Sequence, residues 1–195
     1  MVFLRNVSFH EPEAVVHGDD VLLRVPRMGD YEAWAELRES SRAFLVPWEP
    51  VWSRDDLTRG AFRGRVKRYM RDFREDQAYA FFVFRVSTGR LAGGLTISNV
   101  RRGVAQAGSL GYWIGARHAR QGLMTAAVKA VVPYAFDTLR LNRLEAACLP
   151  VNEPSVRLLR ATGFMQEGLA RRYLKINGVW QDHLLFATLA DDPRP

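Results

Sequence analysis

The stretch ARHARQGLMTAAVKA, residues 116–130, places basic side chains and a glycine at the beginning of a helical pattern. A helix N-terminus has unpaired backbone N–H groups and a partial positive charge. Arg117 and Arg120 add positive charge at this point, and Gly122 lets the backbone approach a ligand without a Cβ in the way. The segment therefore predicts a binding site for an anion such as a phosphate. The alternative interpretation is a helix whose basic face is only solvated.

Two strand–helix units are predicted around this segment. The strand pattern SLGYWIG, residues 109–115, precedes the first helix, in which Pro133 should introduce a kink or remove a hydrogen bond. The strand pattern RLEAACL, residues 143–149, leads into a second, short helix within residues 152–164, with Pro154 in its first turn. A strand followed twice by a helix is typical of a sheet covered by helices.

The remaining elements complete a single sheet. Turn signals, helical spacing and alternating apolar residues define them. They are a strand at residues 22–26, a helix that begins at Asp30, a loop at 44–52, a basic helix within 57–77, strands at 78–86 and 90–100, and two strands within 164–189 around the turn Asn177-Gly178. The sequence predicts an α/β (α+β) domain built around one mixed sheet.

The predicted basic helix separates apolar from charged side chains. Phe62, Val66, Tyr69, Met70 and Phe73 fall at helical spacing and predict its buried face. The charged residues of the segment Arg63–Arg74 are Arg63, Arg65, Lys67, Arg68, Arg71 and Arg74. One interpretation is a solvated face, and the other is a contact with an acidic partner such as ribosomal RNA.

Composition limits the class of protein. The 195 residues fit one domain, and the net charge of +7 favours acidic partners. No apolar run approaches the roughly 20 residues of a membrane-spanning helix, so we expect a cytoplasmic protein without a membrane contact. The expected organisation is an N-terminal extension at 1–19, one domain at 20–190 and a C-terminal tail at 191–195.

The cysteine and histidine content predicts neither a disulfide nor a metal site. Cys148 is the only cysteine. His10, His17, His118 and His183 do not have the spacing of metal ligands. We therefore expect no metal cofactor.

The ordered set of motifs resembles the GNAT acetyltransferases, and within them the RimJ/RimL branch of ribosomal-protein alanine N-acetyltransferases, closer to RimJ. The resemblance spans residues 22–189. It is carried by RAFLVPWEP, GYWIG, RQGLMTAAV, LNRLEAACLPVNEPSVRLLRATGF, QEGLARRYLKINGVWQDH and LLFATL. It implies the GNAT fold, a mixed and mostly antiparallel twisted sheet flanked by helices, with acetyl-CoA as cosubstrate.

The resemblance also implies how acetyl-CoA is bound. The backbone of the GYWIG strand would pair with the pantetheine amides, and the following helix N-terminus would hold the pyrophosphate. Ala119 and Met124 depart from the family pattern Gln/Arg-x-x-Gly-x-Gly/Ala. The implied binding residues are Trp113, Ile114, Gly115, Arg117, Arg120, Gln121, Gly122, Leu123, Met124, Thr125, Asn152 and Ser155.

The implied catalytic residues are Ser155, Asn152 and Glu49. Asn152 would hydrogen-bond the pantetheine arm, and Ser155 would protonate the departing thiolate, since Leu159 replaces the tyrosine acid of many family members. As an alternative, Asn152 and Ser155 are ordinary helix caps. The base remains open among Glu49, the first choice as base or amine anchor, and three alternatives. These alternatives are Asp182, Glu167 and a water molecule.

The implied activity is acetyl transfer to the N-terminal alanine of a ribosomal protein, with small-subunit protein S5 indicated by the likeness to RimJ. The amine would attack the thioester directly, and the chain would act as a monomer or homodimer. Two alternatives remain open. They are acetylation of a small amine, such as an antibiotic, polyamine or amino acid, and a non-catalytic module that binds the ribosome or RNA.

Overall fold

Eight strands form one sheet in the computed structural model, which describes residues 15–194. The strands are β1 (Val15–Gly18), β2 (Val21–Arg24), β3 (Tyr79–Arg85), β4 (Arg90–Arg101), β5 (Ala107–Ile114), β6 (Arg143–Cys148), β7 (Met165–Ile176) and β8 (Val179–Leu189). Their order across the sheet is β1-β2-β3-β4-β5-β6-β8-β7. Among these strands only β5 and β6 pair in parallel, so the predicted mixed, mostly antiparallel sheet is confirmed.

Five α-helices accompany the sheet within the described residues. They are α1 (Tyr31–Ser40), α2 (Arg42–Leu45), α3 (Arg59–Arg74), α4 (Leu123–Pro133) and α5 (Glu153–Ala161). Helix α3 is the predicted basic helix, with Phe62 buried and the Thr58 side chain accepting a hydrogen bond from Ala61 N at the N-terminus. No helix within residues 15–194 is both long and apolar enough to cross a membrane.

The two faces of the sheet carry separate apolar cores. Helices α4 and α5 cover one face, where Val128, Val131 and Leu159 pack against Leu144 and Phe186 of the sheet. On the other face, α1 and α3 contribute the residues of a second core, namely Trp34, Leu37 and Phe62, which pack with Phe82 and Leu91. Burial of these aromatic and aliphatic groups supplies the main stabilisation of the domain.

The predicted domain boundary at residue 20 divides an edge hairpin. Val15–Gly18 forms β1 and pairs with β2, from Val15 opposite Arg24 to Gly18 opposite Val21. Only Val16 of this strand is fully buried, so a short edge strand leaves little periodicity to detect in the sequence. The rest of the predicted extension, residues 1–14, and Pro195 of the predicted tail lie outside the described residues.

Two local expectations are modified by the structure. Residues 42–48, in and just before the predicted loop at 44–52, contain α2 and a 3₁₀ turn at Val46–Trp48, because Pro47 is tolerated in the first turn of such a helix. The effect of Pro133 is confirmed, since α4 gives way at this residue to a π-helical turn at Tyr134–Thr138.

Candidate active site

A gap opens in the middle of the sheet, where β5 and β6 separate. Their pairing runs only from Ala107 opposite Arg143 to Leu110 opposite Ala146. Beyond that point, Gly111–Ile114 stays paired with β4, and Ala147–Cys148 stays paired with β8. In this region the backbone edges of β5 and β6 that face each other are therefore not hydrogen-bonded to one another. An extended ligand that carries amides can add to such edges as a strand does.

The loop after β5 has two left-handed residues before α4 begins. Arg120 has φ 60° and Gly122 has φ 78°. The first intrahelical hydrogen bond of this region joins Ala126 N to Gly122 O at 2.9 Å. The N–H groups of residues 123–125 consequently have no acceptor within the helix. Such exposed N–H groups at a helix N-terminus, next to left-handed turns, form a concavity that suits an anion.

The side chains of this loop are held by neighbours. Arg117 donates to Glu36 at 2.8 Å, and Gln121 donates to Arg117 O at 2.8 Å while accepting from Arg85 at 3.0 Å. His118 is buried, and desolvation together with the charge of Arg117 lowers the pKa of its imidazole. The backbone therefore supplies the candidate anion site, and Arg117 is already paired with Glu36.

A hydrogen bond connects the two sides of the gap. The hydroxyls of Tyr112, on β5, and Ser155, on α5, are 2.7 Å apart. Asn152 caps α5, since its Oδ1 accepts from Ser155 N at 3.2 Å, so the capping role of Asn152 is confirmed. The side chain of Leu159 is a buried hydrocarbon, and a hydrocarbon has no proton to donate at this position.

Tyr112 is the candidate functional residue that the sequence analysis missed. Its ring packs against the core on the α4 side of the sheet. Burial raises the pKa of Tyr112 above its ordinary value, so the hydroxyl keeps its proton. Nothing in the sequence spacing relates residue 112 to residue 155, because the contact depends on the strand register.

Cys148 lies at the end of β6, beside Ser155. Burial raises the pKa of its thiol, although a hydrogen bond with Ser155 acts in the opposite direction. A protonated, buried thiol is a poor nucleophile. This environment does not suit Cys148 as a catalytic nucleophile.

Glu49 is fixed by three hydrogen bonds in the loop that follows α2. Its two oxygens accept from the Arg38 guanidinium at 2.7 and 2.6 Å, and Trp52 Nε1 donates to Oε2 at 2.7 Å. The Arg38 guanidinium lies 4.1 Å from the ring centroid of Trp52 and 4.9 Å from that of Trp113. Glu49 thus fastens its loop to β5 beside the gap, and its carboxylate already has several donors.

The other two carboxylate candidates have structural partners as well. Glu167 pairs with Arg143, at the closed end of the β5–β6 seam, and this arginine lowers the pKa of Glu167. Asp182 accepts from Arg172 N at 2.8 Å, where the register of β7 against β8 shifts. Neither arrangement directs a free carboxylate into the gap. No group of three or more potential metal ligands occurs among residues 15–194.

The turn between β7 and β8 closes the side of the site next to Glu49. Asn177 N donates to Glu49 O at 2.8 Å. In addition, a Cβ at Gly178 would lie 3.6 Å from the Val51 side chain. Two segments far apart in the chain therefore meet here and form a wall beside Glu49.

Comparison with known proteins connects this geometry with a reaction. Residues 20–165 match a family model described as Acetyltransferase (GNAT) domain. The chain is 35% identical over 178 residues to a Bacillus subtilis protein named "Probable N-acetyltransferase YjcK", covering 91% of this chain and 98% of that protein. It is 33% identical over 186 residues to the Escherichia coli [ribosomal protein uS5]-alanine N-acetyltransferase, covering 94% and 95%.

A solved relative has a similar fold and holds a coenzyme A derivative. The structure of Mycobacterium smegmatis RimJ in complex with CoA-disulfide superposes with a TM-score of 0.85 at 32% identity. The match covers 92% of this chain and 87% of that one. A neighbour of this similarity supports coenzyme A as a ligand class for this fold.

Proposed function

Because this chain belongs to the GNAT family of acetyltransferases, we propose that it acetylates the N-terminal alanine of a ribosomal protein, small-subunit protein S5. The choice of acceptor rests on the 33% identity to the E. coli uS5-alanine N-acetyltransferase over 94% of this chain. Acetyl transfer from acetyl-CoA to an amine is the chemistry of an N-acetyltransferase of this family. The acceptor is the finer part of the proposal, and it requires a direct test.

The open edge of β5 and the loop before α4 suit the two ends of acetyl-CoA. The backbone of Trp113–Gly115 would pair with the pantetheine arm, since Gly115 N already bonds Ala92 O on the β4 side and the other edge faces the gap. The N–H groups of Leu123, Met124 and Thr125 would hold the pyrophosphate. Gly122 has no Cβ, and the place where a Cβ would stand is open space, so no side chain obstructs this approach.

Between non-hydrogen atoms, the reaction forms one bond and breaks one. The amine nitrogen forms the C–N bond with the acetyl carbon, and the C–S bond breaks with its electron pair on sulfur. The amine loses one proton to water, and the thiolate gains one from Ser155, which recovers it from solvent. Ser155 would donate a hydrogen bond to the sulfur as it leaves, while the fixed strand and helix hold amine and thioester in contact.

Proton removal from the amine requires little from the protein. An N-terminal α-amine has a pKa of roughly 7.7–8.0, so a useful fraction is neutral near neutral pH. Since Glu49, Glu167 and Asp182 are all engaged in hydrogen bonds, we assign proton removal to water. Glu49 would act in acceptor binding by fixing the wall beside it.

The deciding experiment measures acetyl-CoA turnover on a panel of acceptors. We expect the highest kcat/KM for a peptide with the S5 N-terminus and a free alanine amine. The matched control is the same peptide with a blocked N-terminus and its lysines intact, which should not react. Preference for lysine side chains or for small amines would reject the proposed acceptor, and absence of turnover with every amine would favour a binding module.

The remaining partner assignments stay predictions. A small cationic amine would be repelled by a chain of net charge +7, which disfavours that alternative. A contact of α3 with ribosomal RNA, a cytoplasmic location and a monomeric or homodimeric state are compatible with a ribosomal acceptor. Size-exclusion chromatography with light scattering would measure the oligomeric state.

A further inference from the structure

We propose that Tyr112 is a positioning residue for acetyl transfer, whose hydroxyl orients Ser155 toward the sulfur that leaves. The inference rests on the proposed use of a thioester and is independent of which amine accepts the acetyl group. Tyr112 would act through Ser155. It would not itself give up a proton.

The position of the hydrogen bond supports this role. Tyr112 lies two residues beyond Leu110, the last residue of β5 that pairs with β6. Side chains two residues apart on a strand point to the same face, so Tyr112 projects toward the helices as the buried Leu110 does. Ser155 lies in the first turn of α5, just after the β6 side of the gap. Their 2.7 Å contact therefore spans the gap where a thioester would lie.

The 2.7 Å distance permits either hydroxyl to donate, and we assign this role to Tyr112. A phenol is a stronger hydrogen-bond donor than an aliphatic alcohol, and burial keeps Tyr112 protonated by raising its pKa. With Tyr112 as donor, the Ser155 hydroxyl hydrogen is free for another acceptor. Tyr112 thus fixes the oxygen of Ser155 and leaves its hydrogen available.

The expected kinetic consequence is specific. Negative charge develops on sulfur only as the C–S bond breaks, so the hydrogen bond from Ser155 strengthens in the transition state. Loss of its orientation should lower kcat while the affinity for coenzyme A stays nearly constant. A purely structural role would affect stability or binding and would not depend on the leaving group.

The test combines Tyr112→Phe, Ser155→Ala and the double variant, with Tyr79→Phe as the matched control. Tyr79 also makes a side-chain hydrogen bond, to Asp76, but lies on β3, two strands from β5. Each variant is assayed with acetyl-CoA and with the corresponding selenoester, whose selenol is a better leaving group. Calorimetry with coenzyme A and thermal melting report binding and folding separately from activity.

We expect Tyr112→Phe to lower kcat about tenfold, the size of one hydrogen bond, with unchanged affinity for coenzyme A. This loss of kcat should vanish in the Ser155→Ala background and should shrink with the selenoester. The variant with 3-fluorotyrosine at position 112 retains the hydroxyl and should restore most of kcat. Wild-type kcat in Tyr112→Phe, additive losses in the double variant, or equal losses with both esters would each overturn the inference.

The proposed function and this inference fail in different ways. Absence of acetyl transfer by the wild-type protein would reject the function. Normal transfer by the wild type together with an unaffected Tyr112→Phe would reject only the role of Tyr112. Should Tyr112→Phe melt below the assay temperature, the fluorotyrosine variant still decides, because failure to regain kcat with the hydroxyl present contradicts the inference.

Discussion

At Gly122 the backbone has a φ of 78°, a conformation that costs a residue with a Cβ about 1–2 kcal/mol. The sequence analysis explained this glycine by close approach of a ligand, and the structure adds the backbone reason. The sequence identified Gly122 and Ser155 because their motifs are local. It could not identify the Tyr112–Ser155 contact, which joins residues 43 positions apart through strand pairing.

Substitution of Gly122 separates the backbone effect from the charge effect. Gly122→Ala should lower stability by about 1 kcal/mol and weaken coenzyme A binding modestly, because only the left-handed conformation is penalised. Gly122→Glu adds a negative charge at the candidate pyrophosphate site and should weaken binding at least a further tenfold. Calorimetry measures both affinities. Equal affinities of the two variants would contradict an anion site at this helix N-terminus.

At the scale of the elements, the carboxylate of Asp76, just after α3, connects this helix with the turn between β4 and β5. Asp76 accepts two hydrogen bonds from Arg102, each 2.6 Å long, and Arg102 also donates to Leu139 O at 2.5 Å. The hydrogen bonds from Arg102 lower the pKa of Asp76. The sequence predicted α3 and the strands on either side of this turn, because their periodicity is local. This connection between them requires the tertiary fold.

The lowered pKa of Asp76 predicts how stability depends on pH. A depressed folded-state pKa contributes stability above the unfolded value of about 3.9, and that contribution is lost as the pH falls through the folded value. Asp76→Asn should therefore melt lower than wild type at pH 7, by less than about 1 kcal/mol in free energy because the pair is partly exposed. The difference should shrink below about pH 4.

Melting curves from pH 2 to 8 measure this difference. Asparagine tolerates the positive φ of 55° at this position, so the backbone should remain undisturbed. Asp19→Asn, an exposed carboxylate in the turn between β1 and β2, serves as the control. A difference between Asp76→Asn and wild type that stays constant across this range would exclude the ion pair as its source.

At the scale of the whole molecule, charge is concentrated on the outer face of α3. The apolar residues of α3 face the second core or are half-buried, whereas Arg63, Lys67 and Arg74 are exposed. Arg65 and Arg71 are partly neutralised by Asp56 and Asp72. The sequence predicted this separation of faces from helical spacing. It could not predict the ion pair of Arg65 with Asp56, because Asp56 precedes the helix.

Charge reversal on α3 tests whether this face contacts the acceptor. Changing Arg63, Lys67 and Arg74 to glutamate should slow acetylation of folded ribosomal protein several-fold at low salt, and less near physiological salt, where the Debye length is about 8 Å. Acetylation of a short N-terminal peptide should stay near the wild-type rate. The test is to measure the acetylation rates of both acceptors at two salt concentrations. Equal loss on the peptide would place α3 in the active site or the core.

The gap between β5 and β6 also leaves few backbone contacts between the two parts of the sheet. Only four residue pairs join β1–β5 to the block of β6, β8 and β7 within the sheet, so each block can open with a free energy of its own. A ligand that adds to both edges completes the interrupted ladder. Coenzyme A at 100 times its Kd should raise stability by about 2.7 kcal/mol. In amide hydrogen exchange, protection of β6 and β8 should rise toward that of β3 and β4, so that the substrate makes two cooperative units unfold as one.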